Sequence, residues 1–176
     1  MRAACIVALC TAGLVPAFPH PIPASNGLPP ALSFVAAAAT TVKAGSLVID
    51  TPWMRATPPG AKVAAGYLRI TNEGSEPDRF LGGEVAFADR LEIHQMTMTD
   101  SVMQMRQLTN GLEIKPGETV ELKPGAYHLM FVGVKEQLKQ GSRLKATLRF
   151  EKTGKVDVEF DVLAIGAEPP ERAPGR

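Results

Sequence analysis

Outside its first 44 residues the chain carries two histidines, His94 and His128, and each opens the same short word, His-x-Met: His94-Gln95-Met96 and His128-Leu129-Met130. Five of the seven methionines (Met96, Met98, Met103, Met105 and Met130) gather around these words, leaving only Met1 and the isolated Met54 elsewhere. Imidazole and thioether are neutral and sulfur is soft, so this ligand set suits a soft monovalent ion, copper(I), better than a hard divalent one. Zinc sites usually recruit thiolates or several histidines, and calcium and magnesium sites want oxygen. Blue-copper electron transfer requires a cysteine thiolate. The two cysteines, Cys5 and Cys10, both fall in the leader. What remains is a reversible copper(I) carrier whose ligands form no disulfides in an oxidising compartment, although methionine still oxidises to its sulfoxide.

To act together these side chains must be set on strands, where residues two apart project from one face. His94 with Met96, and His128 with Met130, then each present an imidazole and a thioether to one side; Met103 and Met105 share a parity of their own. A loop from Thr97 to Val102, with Asp100-Ser101, lets the chain double back and bring Met105 towards His94. The rest of the chain reads as strands too. Leu144 to Phe150 and Val156 to Val162 alternate apolar with polar around the turn Thr153-Gly154, a half-buried hairpin. Gly66 to Thr71 and Leu91 to Met96 alternate likewise, Lys115-Pro116-Gly117-Glu118 turns between Leu112-Glu-Ile114 and Val120-Glu-Leu122, and Lys123-Pro124-Gly125 leads into Ala126 to Val134. Lys135 to Lys139 carries a weak signal for a single helical turn. Short strands between Pro/Gly turns predict an all-β domain, an antiparallel sandwich or barrel, over residues 45–163.

Residues 1–44 are of another kind. Met1-Arg2 precedes an apolar run to Phe18, a Pro-rich break and a second apolar patch ending in Ala36-Ala37-Ala38-Ala39-Thr40. This is the layout of a secretory leader, with cleavage expected near Ala39; a leader with a misassigned start and an uncleaved anchor are the alternatives. Both place the folded part outside the cytoplasm, in the periplasm. A lipoprotein reading of Cys10 is disfavoured because Leu9 is larger than the small residue such cleavage prefers. His20 leaves with the leader. The end of the chain, residues 164–176, is polar and Pro-rich and is expected to stay unpacked. Lys+Arg 19 against Asp+Glu 18 makes no field for nucleic acid or an anionic membrane, so a membrane enters only through an uncleaved leader. With 45% hydrophobic and 21% charged residues the chain is globular rather than disordered.

Methionine is also a common filler of core gaps, and a single histidine is more often a surface or satisfied core residue than a ligand. Ordinary packing gives no reason for both histidines and most methionines to fall within residues 94–130 behind a repeated word. At these residues the chain resembles a known family. His94, ten residues, Met105, a spacer and His128-x-Met130, together with Trp53-Met-Arg-Ala-Thr-Pro-Pro-Gly60 and Leu122-Lys-Pro-Gly-Ala-Tyr-His-Leu-Met130, are similar to the periplasmic copper chaperones of the PCu(A)C type. The likeness runs from about Gly45 to Val162.

It implies a cupredoxin-like β-sandwich, one copper(I) ion (Cu+) held by His94, Met105, His128 and Met130, and Met96 and Met98 as spare thioethers for passing the ion on. It further implies delivery to the dinuclear copper centre of cytochrome c oxidase, with the copper subunit of that enzyme and a thiol-bearing Sco-type protein as partners. The 22 residues between Met105 and His128 make a spacer slightly longer than the family's usual form, which leaves both Met103 and Met105 open as the returning ligand.

Two further readings stand beside the chaperone: a periplasmic protein that sequesters copper for resistance, and a metal-free secreted interaction domain with a methionine contact surface. An enzyme has the least support. No nucleophile and base are ordered as a triad, and Asp100 and Ser101 near His94 reflect loop composition. Trp53 is expected to cap the core, as a single Trp usually does, with a place near the copper loops as the alternative, and Arg55 to be solvated, with a partner contact as its alternative.

Overall fold

The computed structural model describes residues 40–170; the expected leader up to residue 39, with its cleavage point, Cys10 and His20, lies outside the described residues, as do residues 171–176. The described chain forms eleven strands: β1 (Thr41–Ala44), β2 (Leu47–Arg55), β3 (Val63–Asn72), β4 (Asp78–Val85), β5 (Arg90–Thr99), β6 (Val102–Gln107), β7 (Leu112–Ile114), β8 (Thr119–Leu122), β9 (Tyr127–Val132), β10 (Arg143–Phe150) and β11 (Lys155–Leu163). The all-β expectation is met. The pairing is mixed rather than purely antiparallel, because β11 runs parallel to β2 and β8 meets β9 in parallel through Leu122 and Tyr127.

The pairings close into a ring, β5 to β9, β3, β2, β11, β10, β4 and back to β5. Closure falls at a paired glycine. Gly83 sits opposite Leu91 of β5 and Leu148 of β10, and beside it the register of β4 against β10 shifts at Gly82, whose φ is 114°. A bulge at glycines lets a strand bend from one neighbour to the next, which is what a closing corner needs. Inside the ring lie Met54, Leu68, Ile70, Phe80, Phe131 and Phe160 with their neighbours, and Phe131 meets Phe160 edge to face at 5.7 Å.

The hairpin read from residues 144–162 is present, with Leu144 opposite Phe160 and Arg149 opposite Lys155. Alternation here is clean: Ala146, Leu148, Phe150, Val156, Val158, Phe160 and Val162 are buried. The helical turn weakly signalled at Lys135 to Lys139 is absent. Leu138 is instead a buried plug, its backbone N–H donating to Thr57 Oγ1 at 3.0 Å and its carbonyl accepting from the Thr57 N–H at 3.0 Å. With those two groups committed to Thr57, a helical hydrogen-bond pattern has nothing to close on.

The margins of the domain also carry structure. Thr41–Ala44 pairs with β2, Val42 opposite Ile49, so folded chain begins ahead of the boundary expected at residue 45. Of the segment expected to stay unpacked, Ala167 accepts a hydrogen bond from Arg55 Nε at 2.9 Å, and Pro169 and Pro170 line a small cleft with Trp53.

One buried carboxylate ties the start of β4 to the β10–β11 turn. Asp78 accepts from the backbone N–H groups of Arg79, Lys152 and Thr153 and from the Thr153 hydroxyl. Burial alone pushes its pKa up, but these four donors outweigh burial and hold it below its ordinary 3.8. Since the folded state binds the proton less readily, the stabilisation is full above the unfolded value and is lost as pH falls through the folded one. We expect Asp78→Asn to cost about 2 kcal/mol at neutral pH and to flatten the loss of stability below about pH 4. Denaturant melts at several pH values check this; an unchanged acid limb counts against it.

Gly66 is fixed by a close approach. A Cβ there would lie 2.6 Å from Cε2 of Phe131, a fully buried ring wedged against Phe87 and Phe160. Gly66→Ala is expected to destabilise the domain by roughly 1–3 kcal/mol through overpacking, measurable by chemical denaturation. A neutral result would mean that the ring yields freely.

Candidate metal centre

The strands that carry the two His-x-Met words are direct neighbours. In the antiparallel ladder of β5 and β9, Ile93 faces Leu129, His94 faces His128 and Glu92 faces Met130. Ile93, Leu129, Leu91 and Phe131 point into the core. Alternation therefore turns Glu92, His94, His128 and Met130 to the other face of the same two strands. The imidazoles sit 5.8 Å apart between ring centres, tilted by 38°. An ion at the roughly 2 Å typical of imidazole ligation lies about 3 Å from a ring centre, so this spacing lets both rings reach one ion.

Hydrogen bonds set which nitrogen of each ring is bare. The Ala126 carbonyl can only accept, so His128 Nδ1, at 3.3 Å from it, is the protonated nitrogen and Nε2 keeps its lone pair. His94 Nε2 lies 2.9 Å from a Glu92 carboxylate oxygen, so in the neutral ring Nε2 carries the proton and Nδ1 is the bare nitrogen. That Nδ1 is buried and has no hydrogen-bond partner. A buried acceptor without a partner costs about 1–3 kcal/mol, and a metal ion is one way to satisfy it. Burial also holds the His128 pKa below the usual histidine range; the neighbouring His94 acts in the same direction, and the bond to Ala126 only partly opposes them. The neutral ring that results is the ligating form.

Among the described residues no three His, Cys, Asp or Glu side chains gather to hold a metal. Further donors on this face are thioethers. Met130 is half-buried, two residues beyond His128. Met105 arrives as expected on a returning strand, but the return is a hairpin rather than a loop: Thr97 and Thr99 belong to β5, and the turn is Asp100-Ser101 alone. Met105 faces Met96, and His94 faces Gln107. The returning methionine thus stands one rung beyond the histidine pair, and Met103, opposite Met98, two rungs beyond it.

Two features of this face escape a reading of sequence. Glu92 orients His94, and its parity with His94 was the available signal. Trp53 is buried, at 4% exposed, but not among the residues of the barrel interior. A bulge in β2, with Thr51 at φ 50° and a register shift between Asp50 and Trp53, exchanges the two faces of that strand, so Ile49 and Met54 enter the core while Trp53 packs on Tyr67 at 4.5 Å outside it. Ala65 faces Met130, so Tyr67, two residues on, shares the face of Met130 and His128. Arg55 lies 5.9 Å from the centre of the Tyr67 ring and is not simply solvated.

If Glu92 fixes the His94 tautomer, Glu92→Ala releases it. We expect nitrogen NMR of the wild-type chain to show His94 with Nδ1 unprotonated, and of the variant to show a mixture of tautomers. The same spectrum from both proteins rules the orienting role out.

A family model described as "Putative lipoprotein LpqE-like" matches residues 47–162. The chain is 30% identical over 108 residues to "Putative lipoprotein Lxx21020" of Leifsonia xyli subsp. xyli (strain CTCB07), a match that takes in 61% of this chain and 64% of that relative. Among solved structures, it superposes on the copper-bound PCuAC domain from PmoF2 with a TM-score of 0.62 and 26% identity, covering 71% of this chain and 98% of that one. It also superposes on the solution structure of CuI-DR1885 from Deinococcus radiodurans, with a TM-score of 0.50 and 23% identity over 76% of this chain and 86% of the other, a likeness of fold.

Proposed function

The chain belongs to the LpqE-like family, its domain is of the PCuAC type, and from this footing we propose that it carries copper(I) outside the cytoplasm. The observation that carries the reading is the rung His94–His128: two imidazoles opposed across β5 and β9, each with one bare nitrogen, one of these buried and unpartnered. The ion is cargo. His94 and His128 supply nitrogen, Met130 a thioether from the same face, and Met105 the fourth donor from the hairpin arm. Neutral donors on a partly buried face favour a soft univalent ion over a divalent one, whose charge they leave uncompensated. The copper-bound neighbour supports this choice of metal. A family described as lipoproteins supports a place outside the cytoplasm, and within that the reading takes the periplasm.

The reading extends to a destination. The carrier hands copper(I) to the copper subunit of cytochrome c oxidase, for its dinuclear centre, alongside a Sco-type protein. It does no catalysis of its own. Its ligands must hold the ion and give it up, which an arm bearing an exposed thioether allows better than an enclosed four-ligand cage.

Anaerobic copper(I) titration of the full chain, with X-ray absorption on the product, tests the centre. One tightly held ion is expected, in a mixed nitrogen and sulfur shell, and His128→Ala and Met130→Ala should each weaken it by about tenfold or more, the loss of one ligand. Undiminished binding in both variants would mean that the ion sits elsewhere. Transfer of the bound ion to an apo oxidase copper fragment tests the destination; retention of copper against that fragment favours sequestration.

A further inference from the structure

The thioethers at the far end of the β5–β6 hairpin are not used by the proposed centre. Met98 faces Met103 across the hairpin, one rung beyond Met96 and Met105. The tight turn locks that register, with Asp100 and Ser101 at φ 50° and 64°. Directly opposed residues share a face, so Met96, Met98, Met103 and Met105 all lie on one side of the hairpin, the side of His94. Gln95, Thr97, Thr99, Gln104 and Arg106 lie on the other, with Val102.

The two sides are treated differently. On the polar side Gln95 Nε2 donates to the Tyr127 hydroxyl at 3.2 Å, and Arg106 reaches Gln95 Oε1 at 3.4 Å. On the thioether side Met98 is 65% exposed and Met103 and Met105 are 53% exposed each. All of β6 is exposed, so the arm adds almost nothing to the core. A strand that leaves the core has no packing reason to sort methionines onto one face. The residues of that face, from His94 to Met98 and from Met103 to Gln107, carry no fixed charge.

Opposed Cβ atoms in such a hairpin are about 4.5–5.5 Å apart, and the three rotatable bonds of methionine let each sulfur swing. Two sulfurs can therefore close on one soft ion, with a third offered from the next rung about 7 Å along the strand. We propose that the Met98–Met103 rung is a second, weaker copper(I) site made of thioethers alone, a station at the exposed tip. It rests on the copper reading of the histidine rung for the ion's destination. The ion passes between tip and histidines by exchange of one neutral thioether for another through Met96 and Met105, with no proton or electron moved.

The test uses the full chain labelled with methyl-¹³C methionine, titrated anaerobically with copper(I). The first equivalent is expected to move the Met130 methyl, and the second to move those of Met98 and Met103 with an affinity weaker by about tenfold or more, two nitrogen donors having been lost. Met98→Leu/Met103→Leu, at exposed positions, should abolish the second equivalent and keep the first within about threefold, as for separate sites. Methyls of Met98 and Met103 that ignore the second equivalent, or a double variant that still takes it up, overturn the proposal and leave the tip a plain apolar contact surface. Failure of the histidine rung looks different. There the first equivalent leaves the Met130 methyl and both imidazoles unmoved, while the tip is judged by its own two methyls.

Discussion

The antiparallel ladder of β5 and β9 sets His94 opposite His128, and the candidate centre depends on that single register. Side chains alternate with a period of two, so a slip of one residue would set an imidazole of one face against a leucine of the other. The core forbids the slip. Leu91, Ile93, Leu129 and Phe131 fill the barrel interior from the same two strands, and moving them to solvent would forfeit about 1.5–3 kcal/mol for each buried side chain. The hydrophobic face thus fixes the geometry of the polar one, and the histidines need no packing of their own to stay aligned.

Around that rung the protein divides rigidity from access. The histidines stand in the β5–β9 wall of the barrel, three residues along β5 from Leu91, where the bulged β4 closes the ring through Gly83. Beyond Met96, whose N–H still reaches the Ala126 carbonyl at 3.1 Å, β5 pairs only with β6, which among the described residues has no other strand neighbour. An edge strand with all its residues exposed is open to other molecules in a way that the barrel wall is not. One pair of strands thereby joins two opposed imidazoles to an exposed arm of soft sulfur, which suits an ion that must be both held and released.

The alternation of Leu144 to Phe150 and Val156 to Val162 was legible because one face is core and the other is water, the condition under which a period-two pattern is written most clearly. The His-x-Met words were legible for a different reason: ligand chemistry restricts residue types whatever the fold. Features that break local rules were not. Lys135 to Lys139 offers a weak helical signal that Thr57, about eighty residues away, overrides with two hydrogen bonds. Trp53 is buried as a single Trp is expected to be, but the bulge at Thr51 exchanges the faces of its strand and turns it away from the barrel interior, and a bulge leaves little trace in composition.

The sequence by itself determined the candidate donor set and the fold class: imidazole with thioether and no thiolate beyond the leader suits a soft ion, and short alternating segments between Pro/Gly turns select an all-β domain. Only the tertiary structure decided that the histidines share one rung, that Glu92 and Ala126 settle which nitrogen of each ring is bare, and that the methionines extend outward as a ladder. Those facts arise from pairing between strands that lie far apart in sequence, and the side-chain pattern of one strand carries no record of its partner's register.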